Sequence, residues 1–101
     1  MSAAHVIESS AGSITVPQST LEQIVLRAAV ETDGARPRRS RRGLDVAVEH
    51  GRARVTIELV AQYGRPLPDV AQRVQHAVAE ALRRMCGLDV QSVNVSIEEL
   101  E

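Results

Sequence analysis

The sequence predicts an α+β fold: a two-layer sandwich in the order β-α-β-β-α-β, with a mostly antiparallel sheet and both helices on one of its faces. Three observations lead there. Two stretches repeat apolar residues at helical spacing, LDVAVEHGRARVTIELVA alternates and folds back on itself, and the closing VQSVNVSI alternates again. Because three of the strands carry one apolar and one polar face, both helices are expected on the apolar side. The other face then meets water or a partner. At 101 residues the chain is expected to form one domain around a single core. With no Phe or Trp and a single Tyr, that core must be built from Val, Ile, Leu and Ala.

Residues 1–11 show no period and are expected to form a flexible N-terminal tail before a domain spanning 12–101. GSITV, residues 12–16, places Ile14 and Val16 on one side, as a short half-buried strand does. From Pro17 the period changes. Leu21, Ile24, Val25 and Ala28 share one helical face, Pro17 suits a first turn, and Asp33-Gly34 stops the helix.

After the arginine-rich loop at 35–43 comes the hairpin. A turn at His50-Gly51, or a four-residue loop with the same pairing, sets Leu44 against Ile57, Val46 against Val55 and Val48 against Ala53, all apolar. The opposite face pairs Asp45 with Thr56, Ala47 with Arg54 and Glu49 with Arg52. A slip of one residue would scramble both faces. QYGRPLP ends the strand, and a helix is expected from about 68 to 86. Its apolar stripe is Val70, Val74, Ala77, Val78, Ala81, Leu82 and Met85, with Asp69 at its positive end, Arg83 and Arg84 at its negative end, and Gly87 just beyond. In the closing strand Val93, Val95 and Ile97 point one way and Ser92, Asn94 and Ser96 the other.

The basic charge is concentrated. All twelve basic residues are Arg, and five of them, Arg36, Arg38, Arg39, Arg41 and Arg42, fall in ARPRRSRRG. Without those five, seven basic side chains face thirteen acidic ones, so a +5 loop sits on a −6 body. The five arginines are the candidate contacts for a polyanion, either nucleic acid or anionic lipid. Ser40 among them stands where a basic-directed kinase would act, although an unmodified loop serine is the simpler reading.

Chemistry of other kinds finds little support. His5 lies in the expected tail, His50 in a turn and His76 on the solvated side of a helix, with no G-x-S-x-G elbow. No catalytic residue is assigned and the chain is expected not to be an enzyme. Cys86 ends a helix, where the dipole disfavours thiolate, and reads as a small hydrophobe. His76 and Glu80 have the spacing of a metal pair, but Glu80 also precedes Arg84 by four residues, which makes an ordinary ion pair the expected role. No metal is expected, since no third and fourth ligand can be named, and no cofactor is expected, since phosphate-binding glycine loops are absent. No small-molecule substrate is expected either. RNA-binding modules of this topology stack bases on sheet aromatics, and the outward positions here hold none. A lone cysteine fits a reducing cytoplasm, no run is apolar enough to span a membrane, and MSAAHVIESS is unlike a signal peptide.

The run VAQYGRPLPDVAQRVQHAVAEAL, followed by GLDVQSVNVSIEEL, resembles the alkaline shock protein family of bacterial envelope stress response proteins. The resemblance rests on Tyr63-Gly64 after a strand, Val74-Gln75 within a helix, the Gly87 stop, and the Val93, Val95, Ile97 strand. GSITVP is similar to the family's opening strand, and Asp33-Gly34-Ala35 to the end of its first helix, so the likeness spans 12–100. It implies a non-enzymatic cytoplasmic protein of envelope and alkaline stress, one that forms homo-oligomers and is held at the inner face of the membrane by a small membrane-anchored partner. The arginine-rich loop departs from that pattern. Polyanion binding through the loop is therefore the alternative function.

Overall fold

The structure is a computed structural model that describes residues 4–38 and 43–101. Eight elements follow in order: β1 (Ala4–Ser9), β2 (Gly12–Pro17), α1 (Gln18–Val30), β3 (Ala35–Pro37), β4 (Leu44–Glu49), β5 (Arg52–Ala61), α2 (Leu67–Cys86) and β6 (Asp89–Leu100). The expected α+β order is present, with two further strands.

The β4–β5 hairpin has the register that its alternation dictates. Leu44 faces Ile57, Val46 faces Val55, Val48 faces Ala53, and the three polar pairs fall between them. His50 and Gly51 take φ of 53° and 75°, the left-handed pair that closes a two-residue turn with the twist of the flanking strands. β5 is the central strand, with Ala53, Val55, Ile57 and Leu59 fully buried. β6 runs parallel to it along Arg52–Ala61, and α2 is the crossover that a parallel neighbour requires.

α2 presents Val70, Val74, Val78, Ala81 and Leu82 to the core and ends where Gly87 adopts φ 68°. α1 contributes Leu21, Val25, Ala28 and Ala29. Apart from Val70, these residues and the inward side chains of β4 and β5 make one cluster, so both helices cover the same sheet face. The opposite face, including Asp45, Arg54, Thr56, Asn94 and Ser96, is exposed.

Three expectations are corrected. The segment expected to be a tail contains β1, which pairs antiparallel with β2 from Ala4↔Pro17 to Ser9↔Gly12. That pair is a separate two-stranded sheet, so GSITV does not join the main sheet; the fourth strand there is β3, against Leu59–Ala61. Since β6 occupies one edge of β5, β3 and β4 share the other, end to end. Met85, assigned to the apolar stripe, is 62% exposed because the helix has turned its last apolar position past the edge of the core.

Candidate functional site: sheet edges and the arginine segment

The arginine segment is pinned at its base. The Arg38 N–H donates to the Glu58 carbonyl at 2.9 Å, and the Glu58 N–H donates to the Gly43 carbonyl at 2.7 Å. Both ends of the segment therefore meet β5 at one residue. Arg36, on β3, donates to the Glu101 carboxylate, which raises the pKa of its guanidinium. The Arg38 guanidinium lies 3.7 Å from the Glu58 carboxylate. Arg39, Arg41, Arg42 and the adjoining Ser40 lie outside the described residues. Two of the five candidate polyanion contacts are thus engaged by acidic groups of the sheet. A charge count that treats loop and body as separate misses this, because Glu58 and Glu101 are distant in sequence.

The outer strands of the main sheet share a device. Gln75 on α2 donates to the Val93 carbonyl of β6 at 3.0 Å, and Gln18 at the start of α1 donates to the Val46 carbonyl of β4 at 2.7 Å. A glutamine amide ties β4 and β6 each to a helix. In the Val74-Gln75 step, then, one side chain enters the core and the next holds β6. Sequence reasoning saw the step and not its cause.

β6 nevertheless remains an edge. It pairs only with β5 among the described residues, over almost its whole length. Val90, Val93, Val95 and Ile97 pack against the core yet stay half-buried, whereas their β5 neighbours are sealed. A strand of this length with one unpaired edge offers backbone groups and apolar surface to another chain. The β1–β2 hairpin is a second exposed element. Val6 on one face is 60% exposed and Ile14 on the other 58%. Its base is held where His5 meets the side chain of Gln18.

The three histidines lie on separate elements, and His76 and Glu80 line the groove between α1 and α2. His5 is on the outer hairpin, His50 in the β4–β5 turn and His76 on α2. Glu80 pairs with Arg83 at 2.6 Å rather than with Arg84, and that bond holds its carboxyl below the usual carboxylate range. The choice between the two arginines is one of rotamer and helix phase, which spacing alone does not resolve. Cys86 is half-buried, and burial pushes its thiol pKa up. Among the described residues no group of three or more His, Cys, Asp or Glu is placed to hold a metal ion.

A profile of the alkaline shock protein 23 family, described as having a cell envelope-related function, matches residues 35–101. The chain belongs to this family. The match takes in both outer strands, the Gln75 contact and the arginine segment, and leaves the β1–β2 hairpin and α1 outside it. Among curated proteins, this alkaline shock family member is similar to stress response regulator gls24 homologs of Streptococcus pyogenes, from serotype M3 and serotype M28 strains. Each is 31% identical over 61 residues, which is 60% of this chain and 34% of the relative. The chain thus spans about a third of the length of those relatives. Among solved structures, a zinc form of a MamM CTD variant matches at TM-score 0.57 and 17% identity, covering 82% of this chain and 86% of the other. A cadmium form of another MamM CTD variant matches at 0.58 and 17%, covering 83% and 99%. At that identity the likeness shows the fold alone.

Proposed function

We propose that this family member works by contact rather than by catalysis, as a non-enzymatic component of an envelope stress response. In this reading copies associate with one another and bind a small membrane-anchored protein, which holds them at the inner, cytoplasmic face of the membrane. The observation that carries it is the long, unpaired edge of β6 with its half-buried Val93, Val95 and Ile97. The family's cell envelope-related function and the stress-regulator names of its relatives support the setting. Among the described residues no helix is long and apolar enough to cross a membrane, and in this reading the partner supplies the attachment. Sedimentation velocity at low and high salt tests self-association. The coefficient is expected to rise with protein concentration; a monomer at every concentration and both salts contradicts it.

Polyanion binding through the arginine segment is the lesser role in this account, since Arg36 and Arg38 already meet Glu101 and Glu58.

A further inference from the structure

Backbone polarity decides what the free edge of β6 accepts. The Glu58 N–H donates to Gly43 and its carbonyl accepts from Arg38, so Glu58 turns its backbone groups toward β3 and β4. Val55, Ile57 and Leu59 alternate with it and face β6. In the parallel register these three stand beside Val93, Val95 and Ile97, whose own N–H and C=O groups therefore point outward, away from β5. The same alternation turns Val46 outward on β4, since it stands opposite Val55. Both glutamine amides thus sit on outward carbonyls, Gln75 on Val93 and Gln18 on Val46. Each plugs an edge. The two plugs differ in how firmly they are set: Gln18 is half-buried and its side-chain oxygen meets His5, whereas Gln75 is exposed. The β6 plug is the releasable one.

The side chains specify the strand that would replace it. Register shifts at Ala53/Arg54 and Leu59/Val60 leave 92–97 as the regular part of β6. A second copy laid antiparallel and centred on Val95 sets Val95 against Val95 and Val93 against Ile97 on the core side, and Asn94 against Ser96 on the other. Outward backbone groups then oppose outward ones, so the three apolar pairs are hydrogen-bonded pairs. Centring on Asn94 would set Ile97 against Gln91, and centring on Ser96 would set Val93 against Glu99. Centred on Val95, Glu98 faces Ser92 and Glu99 faces Gln91, so no carboxylate opposes another from 91 to 99. The pairing is two-fold, and it puts the helices of both copies over one face, where Val93, Val95 and Ile97 are still half-buried. We propose that β6 pairs antiparallel with β6 of a second copy about a two-fold axis at Val95, and that the Gln75 amide gates this edge by holding the Val93 carbonyl until the Ile97 N–H of the second copy replaces it. This interface rests on the contact reading above, to which it adds a register and a gate.

Disulfide trapping on the whole chain, with Cys86→Ala to remove its own thiol, tests the register. Asn94 and Ser96 are exposed, so cysteines there leave the core intact. Across the axis Asn94 lies opposite Ser96 at about 4.5 Å between Cα atoms, within the roughly 4.4–6.8 Å of a disulfide, while Asn94 to Asn94 is a diagonal of about 7–8 Å. A mixture of Asn94→Cys and Ser96→Cys chains is expected to cross-link under mild oxidation, and neither chain alone. Gln75→Ala and Gln75→Met, which cannot donate to the Val93 carbonyl, should each tighten the dimer about tenfold in sedimentation, because each copy gives up one competing hydrogen bond. A merely structural glutamine would leave association unchanged or weaken it, and either result overturns the proposal. If the chains associate but the mixture does not cross-link, or each variant cross-links equally well alone, the proposal fails while self-association stands. A monomer at every concentration, in Gln75→Ala as in the unaltered chain, removes the contact reading as well.

Discussion

The described residues form two antiparallel hairpins joined by two-residue turns, and their fates differ. In β4–β5 Leu44, Val46, Val48, Ala53, Val55 and Ile57 pair on one face, and two helices seal that face. In β1–β2 they are divided: Val6 lies on one side, Ile7, Ile14 and Val16 on the other, and the pair stands apart from the main sheet. Correct pairing makes a ribbon, but only one-sided patterning makes a ribbon that a helix layer can bury. The inner hairpin therefore carries stability, and the outer one is left as surface.

Truncating one isoleucine in each hairpin separates the two most strongly. Ile57→Ala, at a fully buried position, should cost about 2–5 kcal/mol in urea unfolding, whereas Ile14→Ala should cost less than about 0.5 kcal/mol. Equal losses would mean that the outer hairpin belongs to the cooperative core. The turns offer a smaller effect. Gly51→Ala strains a φ of 75° and should lower global stability by about 1 kcal/mol, while Gly12→Ala, at φ 142°, should loosen only the outer hairpin, as read by amide exchange. Gln75→Ala removes one hydrogen bond, with an expected loss of about 0.5–1 kcal/mol and faster exchange centred on Val93.

Two further changes should be barely visible in stability. Replacing the five arginines of the 36–42 segment by Ser should leave the melting temperature unchanged while lowering retention on RNA or anionic vesicles, because exposed ion pairs contribute little. For Cys86, burial raises the folded thiol pKa above the unfolded one. The stabilisation is therefore fully present below the ordinary thiol pKa and is lost as pH rises through the folded value. Iodoacetamide should accordingly modify Cys86 more slowly than a free thiol at mildly alkaline pH, and equal rates would contradict the burial.

Most of the sheet-and-helix body was legible because its patterns are one-sided and its stops are explicit. The β4–β5 register followed from three apolar pairs around His50-Gly51, and the end of α2 from Gly87. β1 was not legible because its turn, Ser10-Ala11, lacks the residues that announce a hairpin, and its apolar side chains fall on both faces. β3 has three residues, one of them Pro and another Arg, too short for a period. Its place comes from the pairing with β5. The site was less legible still. Arg36 with Glu101 and Arg38 with Glu58 are contacts made only by the folded sheet, and the groove between α1 and α2 exists only once the helices lie side by side.

The claim on which the functional account depends is that the outer edge of β6 is where this protein meets other chains. Amide hydrogen exchange across a concentration series measures this directly. Backbone amides in 89–100 are expected to gain protection as sedimentation shows larger species, while the β4–β5 turn stays unchanged. If association proceeds with β6 exchange unaltered, the contact lies elsewhere and the account is wrong.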